Sequence, residues 1–348
     1  MTNAPEHDGG SQSSGEIRDP GPSARSHGRR DFLKSALTAG GAAVSLAAAG
    51  TPAYAQGLQP GAVPGTTNHY YVPASDKTVH WGYFSKLLRP VIEVNSGDFV
   101  TIEVLTHHAN DDAERMVDPS GVVHRTIDYP GVPVDHRTVQ ENPGVLKNVR
   151  VPIRPHFGVL GLAPAEADIV DSIPPSYTGG NIDDWRIGKG ATMYYPVAVK
   201  GALLSAGDSH ASQGDSELCG TAIECSLTGT FQLIVHKRAN LAGTALAGLN
   251  YPLLATQDEW VLHGFSYANY LAELGADAQS QIYSKSSIDL AMRDAFRKMR
   301  HFLMTTQGLS EDESISLMSV AVDFGVTQVV DGNWGVHAII KKSLFAGA

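Results

Sequence analysis

This chain of 348 residues has few cysteines and no excess of positive charge. Lys and Arg number 26 against 36 Asp and Glu, so the formal net charge is −10, and no basic run follows residue 55. This acidic balance argues against nucleic acid or an anionic membrane as a partner. The two cysteines, Cys219 and Cys225, lie in a strand-like run, where an extended backbone would hold them about 20 Å apart. We therefore expect two unbridged thiols, although an oxidising compartment would permit a disulfide.

Long apolar runs are also missing beyond Ala55, so no membrane contact is expected once an N-terminal signal is removed. The first 55 residues resemble a twin-arginine export signal. Arg29-Arg30 precede Phe32-Leu33-Lys34 and a mildly apolar run too short to span a bilayer, and Ala53-Tyr54-Ala55 offers a small-x-small cleavage site. The sequence therefore predicts a periplasmic or secreted protein, and a polar disordered tail is the alternative.

The chain after the signal divides into three stretches. Residues 56–67 are rich in Gly, Pro and Thr and predict a linker, and residues 109–147 predict mostly loop. Residues 68–257 alternate apolar and polar positions in short runs. They predict a hairpin formed by 91–94 and 99–105, followed by strands at 149–151, 157–162, 192–199, 202–204 and 221–235. This stretch is typical of an antiparallel β-sandwich or barrel.

Helical patterns appear only in the last stretch, residues 258–348. Helices are predicted over 266–274, 287–307 and 311–322, the last with a capping box at Ser310 and Glu313, and strands over 326–330 and 336–340. The predicted fold class is therefore α+β: a strand-rich sandwich or barrel core followed by a helical, mixed α/β C-terminal section that packs on it.

The densest group of chemically active side chains is the segment GDSHASQGDSE at residues 207–217. A loop that bends here could direct Asp208 and His210 to one metal ion, and leave Glu217 or Asp215 to move protons. A carboxylate beside a metal-activated water is a competent arrangement for attack on an amide carbonyl. The alternative is a solvated acidic turn.

A second group lies in residues 178–184. Asp183 is a candidate third ligand and Asn181 a candidate substrate contact, although two glycines before Asn and paired Asp are more typical of a tight turn. His107-His108 with Asp111-Asp112 form another candidate set, but adjacent histidines on a strand face opposite ways, so at most one could join a common site. For His156, His263 and His337 we expect core or surface roles.

Three segments, PIRPHFGVLGLAP (152–164), GGNID (179–183) and KGATMYYPVAVKGALLSAGDSHASQGDSELCGTAIE (189–224), closely resemble the acetamidase/formamidase family, and residues 320–340 resemble its C-terminal section. A family segment of the type GPI-x-V-x-GAEPGD has no counterpart before PIRPHFG.

The resemblance covers most of residues 80–348. It implies hydrolysis of small amides such as formamide or acetamide to a carboxylate and ammonia, with a bound divalent metal, zinc first and calcium as a second candidate. By motif position, the resemblance places seven residues in the functional region, and their roles are assigned from their chemistry. We expect Asp183, Asp208 and His210 as metal ligands, Asn181 and Gln213 as substrate contacts, and Glu217 and Asp215 as catalytic carboxylates. The resemblance also implies a homodimer. Two alternatives remain: a metal- or ligand-binding protein without turnover on the same scaffold, and a hydrolase of larger amides or of another carbonyl substrate.

Overall fold

The computed structural model describes residues 67–106, 148–242, 244 and 246–345, together with the backbone of 127–128 and 132–133. The chain falls into two units, residues 1–50 and 51–348, and every described residue belongs to the second. The predicted export signal, almost all of the linker and most of the 109–147 loop therefore lie outside the described residues. Within the described part, no helix is long and apolar enough to cross a membrane.

The described strands, in chain order, are β1 (His69–Val72), β2 (Tyr83–Phe84), β3 (Phe99–Val104), β4 (Ile127–Asp128), β5 (Val132–Pro133), β6 (His156–Leu162), β7 (Val170–Asp171), β8 (Gly179–Asn181), β9 (Thr192–Tyr194), β10 (Leu204–Ser212), β11 (Ile223–Glu224), β12 (Leu227–Gln232), β13 (Leu253–Ala255), β14 (Glu259–Phe265), β15 (Val322–Gln328) and β16 (Gly335–Lys341). The α-helices are α1 (Tyr270–Leu274), α2 (Ala278–Lys285), α3 (Ile288–Gln307) and α4 (Glu311–Ala321).

A five-stranded antiparallel sheet, in the order β15-β16-β14-β13-β9, carries the long helix α3 on one face. The apolar stripe of α3 packs on this face in one fully buried cluster, in which Met299 and Phe302 join Leu262 and Ile340. Helix and sheet approach closely at Gly264, because a Cβ there would lie 2.2 Å from the Ala295 nitrogen. Successive side chains of a strand face opposite ways, so the residues next to Leu262 point to the other face.

The other face of that sheet packs on the four-stranded sheet β11-β10-β6-β8. Val261 and Phe265 of β14 share a buried cluster there with Leu160 of β6 and with Ile182, which directly follows β8. The order of layers is therefore helix, sheet, sheet. The fold class α+β is confirmed, with the two sheets packed face to face and no closed barrel among the described strands.

Helix ends follow local chemistry. Gly308 adopts the left-handed conformation (φ 66°) directly after α3, and both hydrogen bonds of the predicted capping box join Ser310 and Glu313 before α4. Helix α1 begins four residues later than predicted because the side chain of Asn269 accepts from the Ala272 N–H and caps it there. Helix α2 was not predicted from the sequence.

The predicted hairpin of residues 91–94 and 99–105 is wrong in its first half. Residues 91–94 form no strand, and β3 pairs instead with β1 in parallel and with β12 in antiparallel orientation. The turn before β3 supplies the reason. Asp98 accepts from the backbone N–H of Asn68 (2.9 Å) and of Asn95 (2.8 Å), which ties the start of β1, rather than residues 91–94, to β3.

Other strand predictions need shortening or removal. Residues 149–151 are exposed and not in a strand, and the strand predicted over 192–199 ends at Tyr194, before Pro196, which has no N–H for a ladder. The boundary expected at residue 257, between the strand-rich core and the C-terminal section, falls within the five-stranded sheet. Strands β9 and β13 precede that residue and belong to this sheet.

Candidate functional site

Asp208 and His210 lie in a strand, whereas the sequence suggested a loop. Both belong to β10, and their two-residue spacing points both side chains to the same side. Asp208 has a left-handed backbone (φ 48°), and the register of β10 against β11 shifts between His210 and Ser212. The acidic end of the segment, after Ser212, forms the predicted turn. This irregular strand brings a carboxylate and an imidazole to one face of the four-stranded sheet.

Asp183 reaches the same place from the end of β8. Gly179 and Gly180 have φ angles of 91° and 106°, and Asp183 itself has φ 53°. Glu217, in the turn after β10, is also left-handed at φ 45°. Non-glycine residues rarely adopt this conformation, and each instance costs about 1 kcal/mol or more. Such strain persists where the surrounding structure holds it, and here it occurs at three acidic residues of one cluster.

Gly158 of β6 forms the floor on which these side chains meet. A Cβ at this position would lie 2.3 Å from Asp183 Oδ1, 2.7 Å from Asp208 Oδ2 and 2.8 Å from His210 Cε1. The missing side chain therefore leaves room for two carboxylates and one imidazole to converge. Two overlapping groups could each hold a metal ion, with ligand atoms within 4.8 Å of one another: Asp183, His210 and Glu217, and Asp208, His210 and Glu224.

Buried carboxylates dominate the electrostatics of the cluster. Burial, together with the charge of Asp208, raises the pKa of Asp183 to about 7. Burial and the charge of Asp183 raise the pKa of Glu217 and of Asp331 well above the ordinary range. Among the described residues, no N–H group and no hydroxyl donates to either oxygen of Asp183, to Glu217 Oε2 or to Asp331 Oδ2. When Asp331 is protonated, its carboxyl can donate to the Asp183 carboxylate. Unsatisfied buried acceptors at this density call for a proton or a cation.

His210 is the cationic group nearest to these carboxylates. Its Nε2 lies 3.2 Å from Asp208 Oδ1 and 3.4 Å from Glu224 Oε2. Burial alone would lower the pKa of His210, but the contacts with both carboxylates outweigh it and raise the pKa to about 12. The positive charge of one imidazole does not balance the negative charge of the acidic groups around it. The site therefore has both the space and the excess negative charge to hold a divalent cation.

Asp184, beside Asp183, anchors the same turn to the five-stranded sheet. It accepts from His263 Nε2 at 2.9 Å and from Arg186 Nη1 at 3.0 Å. Although burial opposes ionisation, these two partners hold the pKa of Asp184 below its usual range. The buried pair therefore fixes the backbone that presents Asp183.

The remaining residues that the sequence predicted for the site are Asn181, Gln213 and Asp215, and each makes different contacts. Asn181 is buried, and its Oδ1 forms no hydrogen bond within the described residues. Gln213 uses both ends of its amide internally, since Nε2 donates to the Asp183 carbonyl and Oε1 lies 2.9 Å from His156 Nε2 and 3.0 Å from His210 Nδ1. Asp215 accepts from Trp185 and pairs with Arg186, in a network apart from the carboxylate cluster.

Sequence reasoning missed His156, Glu224, Asp331 and Gly158 as parts of the site. His156 lies within the segment 152–164 and Glu224 at the end of the segment 189–224, both of which carried the family resemblance, and Asp331 lies in the C-terminal one. Their proximity depends on strand register and on contacts distant in sequence. The set His107-His108 with Asp111-Asp112 lies outside the described residues, and Cys219 and Cys225 are free thiols, as expected.

The site belongs to the class of buried, acidic, histidine-containing centres with space for a cation. Comparison with known proteins identifies the family: the acetamidase/formamidase family matches residues 165–345, more than half of the chain. The chain therefore belongs to the acetamidase/formamidase family, and the resemblance seen in its motifs is confirmed.

Solved structures share the fold at low sequence identity. An acetamidase from Yersinia enterocolitica is 19% identical, with a TM-score of 0.62 and coverage of 85% of this chain and 98% of that one. An acetamidase from Bacillus halodurans is 21% identical, with a TM-score of 0.58 and coverage of 79% and 98%. At this identity the likeness establishes the fold alone.

Curated relatives are more similar over a short segment. An acetamidase of Mycolicibacterium smegmatis is 51% identical over 55 residues, 15% of this chain and 13% of that protein. A formamidase of Methylophilus methylotrophus is 48% identical over 62 residues, 17% of this chain and 15% of that protein. The matched segments thus span a small part of these relatives.

Proposed function

We propose that this protein is a metal-dependent amidohydrolase that cleaves small linear amides of the formamide and acetamide type to a carboxylate and ammonia. The observation that carries the proposal is the convergence of Asp183, Asp208 and His210 above Gly158, with Glu217 in the same buried cluster. Family membership and the names of the relatives, acetamidase and formamidase, support the choice of substrate class.

The donor set fits a divalent cation. Both oxygens of Asp183 are buried and receive no N–H or hydroxyl donor from the described residues. Asp208 and His210 share one face of β10, and a side chain at residue 158 would fill the space where the three residues meet. We assign Asp183, Asp208 and His210 as the residues that would hold the ion. A mixture of carboxylate oxygen and imidazole nitrogen favours zinc, whereas calcium prefers oxygen alone.

When bound, such a cation supplies Lewis-acid activation of a carbonyl group and of water. The remaining chemistry is assigned to the protein. Glu217 is buried, and burial and its acidic neighbours raise its pKa well above the ordinary range, which favours the protonated carboxyl that could deliver a proton to the leaving nitrogen. Asn181 Oδ1, which has no hydrogen-bond partner among the described residues, is available to accept an N–H of the substrate amide.

A second candidate is a metal- and ligand-binding protein without turnover. Two residues expected to touch substrate or move protons, Gln213 and Asp215, are engaged in internal contacts. That leaves Glu217 as the one proton carrier among the predicted residues. If Glu217 faces no substrate, the cluster would bind a cation and catalyse nothing.

The test is ammonia release from formamide and acetamide by zinc-loaded protein, beside metal analysis. We expect Glu217→Gln to retain zinc and to lose about 10²- to 10⁴-fold in kcat, the usual contribution of a general acid or base. Glu273→Gln, at an exposed helix position, is the matched control and should keep full activity. Stoichiometric zinc with no ammonia from a panel of small amides would reject hydrolysis in favour of the binding role.

We also propose export by the twin-arginine route, on the basis of Arg29-Arg30 and the following residues. Replacement of both arginines by lysine should leave the full-length precursor in the cytoplasm of a bacterial host, measured by fractionation and immunoblotting. Unchanged appearance in the periplasm would contradict this route.

A further inference from the structure

The carboxylate of Asp215 is held by two residues of the segment that follows β8. Trp185 Nε1 donates to Asp215 Oδ1 at 2.9 Å. The Arg186 guanidinium donates to both oxygens, from Nη1 to Oδ1 at 3.0 Å and from Nη2 to Oδ2 at 3.3 Å. Three N–H groups on one carboxylate, two of them in a guanidinium fork, fix it more firmly than a single surface ion pair would. Trp185, Arg186 and Asp215 thus form a clamp between two segments.

The clamp is anchored in the protein interior. Arg186 Nη1 also donates to Asp184 Oδ1 at 3.0 Å, and the Asp184 side chain is fully buried. The Arg186 guanidinium lies over the Trp185 ring, with Cζ 4.3 Å from the ring centroid, and the Arg154 guanidinium lies 4.4 Å from the same ring. The donors are therefore ordered by contacts of their own. Because little side-chain entropy is left to lose, they can hold Asp215 even though its side chain is 42% exposed.

The turn that begins at Asp215 is strained. Ser216 and Glu217 follow it directly with φ angles of 83° and 45°, a conformation that non-glycine residues rarely adopt. Such backbone persists only where contacts around it hold it. The Ser216 N–H donates to the Thr327 carbonyl at 2.9 Å, and the clamp holds Asp215 on the preceding side. Glu217 enters the buried cluster from this turn. Without the clamp the turn loses one support and can relax to ordinary angles that carry Glu217 away.

We propose that Asp215 is a positioning residue: through Trp185 and Arg186 it keeps the strained turn of residues 215–217 in the conformation that directs Glu217 into the buried cluster. This rests on the proposed function, in which Glu217 is the proton carrier. It gives Asp215 a role other than the proton transfer that the sequence suggested, because both of its oxygens accept hydrogen bonds within the clamp. A displacement of about 1 Å at a reacting group can cost about 100-fold in rate, so the clamp bears on turnover without touching substrate.

Two substitutions at Asp215 separate positioning from proton transfer. Asp215→Ala removes the acceptor of all the clamp's N–H groups, and we expect kcat for formamide to fall about 10- to 100-fold while KM stays within about 3-fold. Asp215→Asn cannot carry a proton but keeps an oxygen that can accept from Trp185, and it should recover most of that loss. Asp289→Ala, which removes an exposed ion pair with Arg293 on α3, is the matched control and should change neither constant. An Asp215→Asn variant as slow as Asp215→Ala would overturn the inference, since the carboxyl itself would then move protons.

The turn can also be observed without turnover. In Asp215→Ala the Ser216 amide, which donates to Thr327, should exchange its hydrogen at least about 10-fold faster than in the wild type. In protein labelled with ¹⁵N-tryptophan, the indole N–H signal of Trp185, identified with Trp185→Phe, should shift. Zinc stoichiometry should not change, because the assigned ligands lie outside the clamp.

Unchanged exchange at Ser216 in folded Asp215→Ala would overturn the inference even if kcat falls. If that variant does not fold, Trp185→Phe, which removes one donor, decides the question by the same exchange measurement: faster exchange supports the clamp and unchanged exchange rejects it. Faster exchange in a protein that releases no ammonia would reject the proposed function and leave the positioning role of Asp215 intact.

Discussion

Neutralising Asp183 should stabilise the metal-free protein at high pH and destabilise the metal-loaded one. The carboxyl is buried, and burial and the Asp208 charge raise its pKa to about 7 in the folded state. In the unfolded chain the pKa is about 3.9. The folded state therefore holds this proton more tightly. The unfolded state binds fewer protons between the two pKa values, so this group makes stability fall as pH rises from about 4 to about 7.

The difference of about 3 pKa units corresponds to a cost on the order of 4 kcal/mol at pH 8. Asp183→Asn removes that cost, because the amide has the shape of the carboxyl without its charge. For a chain of this size about 1 kcal/mol shifts Tm by about 2–4 °C, so the variant should melt on the order of 10 °C higher in EDTA at pH 8. Near pH 4 the gain should fall below about 1 kcal/mol, since the carboxyl is then protonated in the folded state and about half protonated in the unfolded one.

Differential scanning fluorimetry across pH 4–8, in EDTA and in excess Zn²⁺, measures both effects. Zinc should raise the Tm of the wild type and raise that of Asp183→Asn much less, because one ligand is lost. The exposed Asp168→Asn is the control and should show no such pH dependence. A variant that melts below the wild type in EDTA at pH 8 would refute the reasoning, since it would mean that the carboxylate is satisfied without a cation.

Two glycines yield the remaining predictions. Gly158→Ala should leave the fold intact but weaken Zn²⁺ binding at least 10-fold by calorimetry, because its Cβ would overlap Asp183 and Asp208, whereas Gly207→Ala, whose Cβ would meet Val159 at an ordinary 3.7 Å, should not. Gly264→Ala should cost about 3 kcal/mol or more in urea unfolding, since its Cβ would lie 2.2 Å from the α3 backbone. Equal zinc affinities for the first two variants, or a loss below about 1 kcal/mol for the third, would contradict these contacts.

Local signals in the sequence predicted local structure well. The capping box at Ser310 and Glu313 and the stop at Gly308 depend on residues within one turn, and both occur in the structure. Strand pairing was less predictable. Residues 91–94 alternate like a strand, yet the backbone N–H of Asn68, which donates to Asp98, brings β1 to β3 in their place. That choice involves residue 68 and cannot be read from the hairpin segment alone.

In the candidate site, too, residues that form a local pattern were predictable, and contacts that depend on strand register were not. Asp208 and His210 were recognisable because acidic and imidazole groups crowd one short segment. The same crowding indicated a loop, although the backbone continues as a strand with one left-handed residue. His156 was predicted to have a core or surface role, and it is buried in the core. Its second property, contact with His210, follows from the register of β6 against β10, which no local pattern specifies.

Backbone hydrogen bonds link the acidic turn after β10 to residues 327–329 near the C-terminal end of β15, and formation of the site depends on them. The Ser216 N–H donates to the Thr327 carbonyl at 2.9 Å, and the Val329 N–H donates back to the Ser216 carbonyl at 3.2 Å. Gln328 then accepts from the backbone N–H groups of Val330 and Asp331 and sets the turn that carries Asp331. A chain that stops before residue 327 therefore lacks both the hydrogen bonds that brace the Glu217 turn and one of the cluster's buried carboxyls, Asp331. We expect such a truncated chain to fail to form a tight metal site, because the site depends on backbone contacts between segments that are distant in sequence.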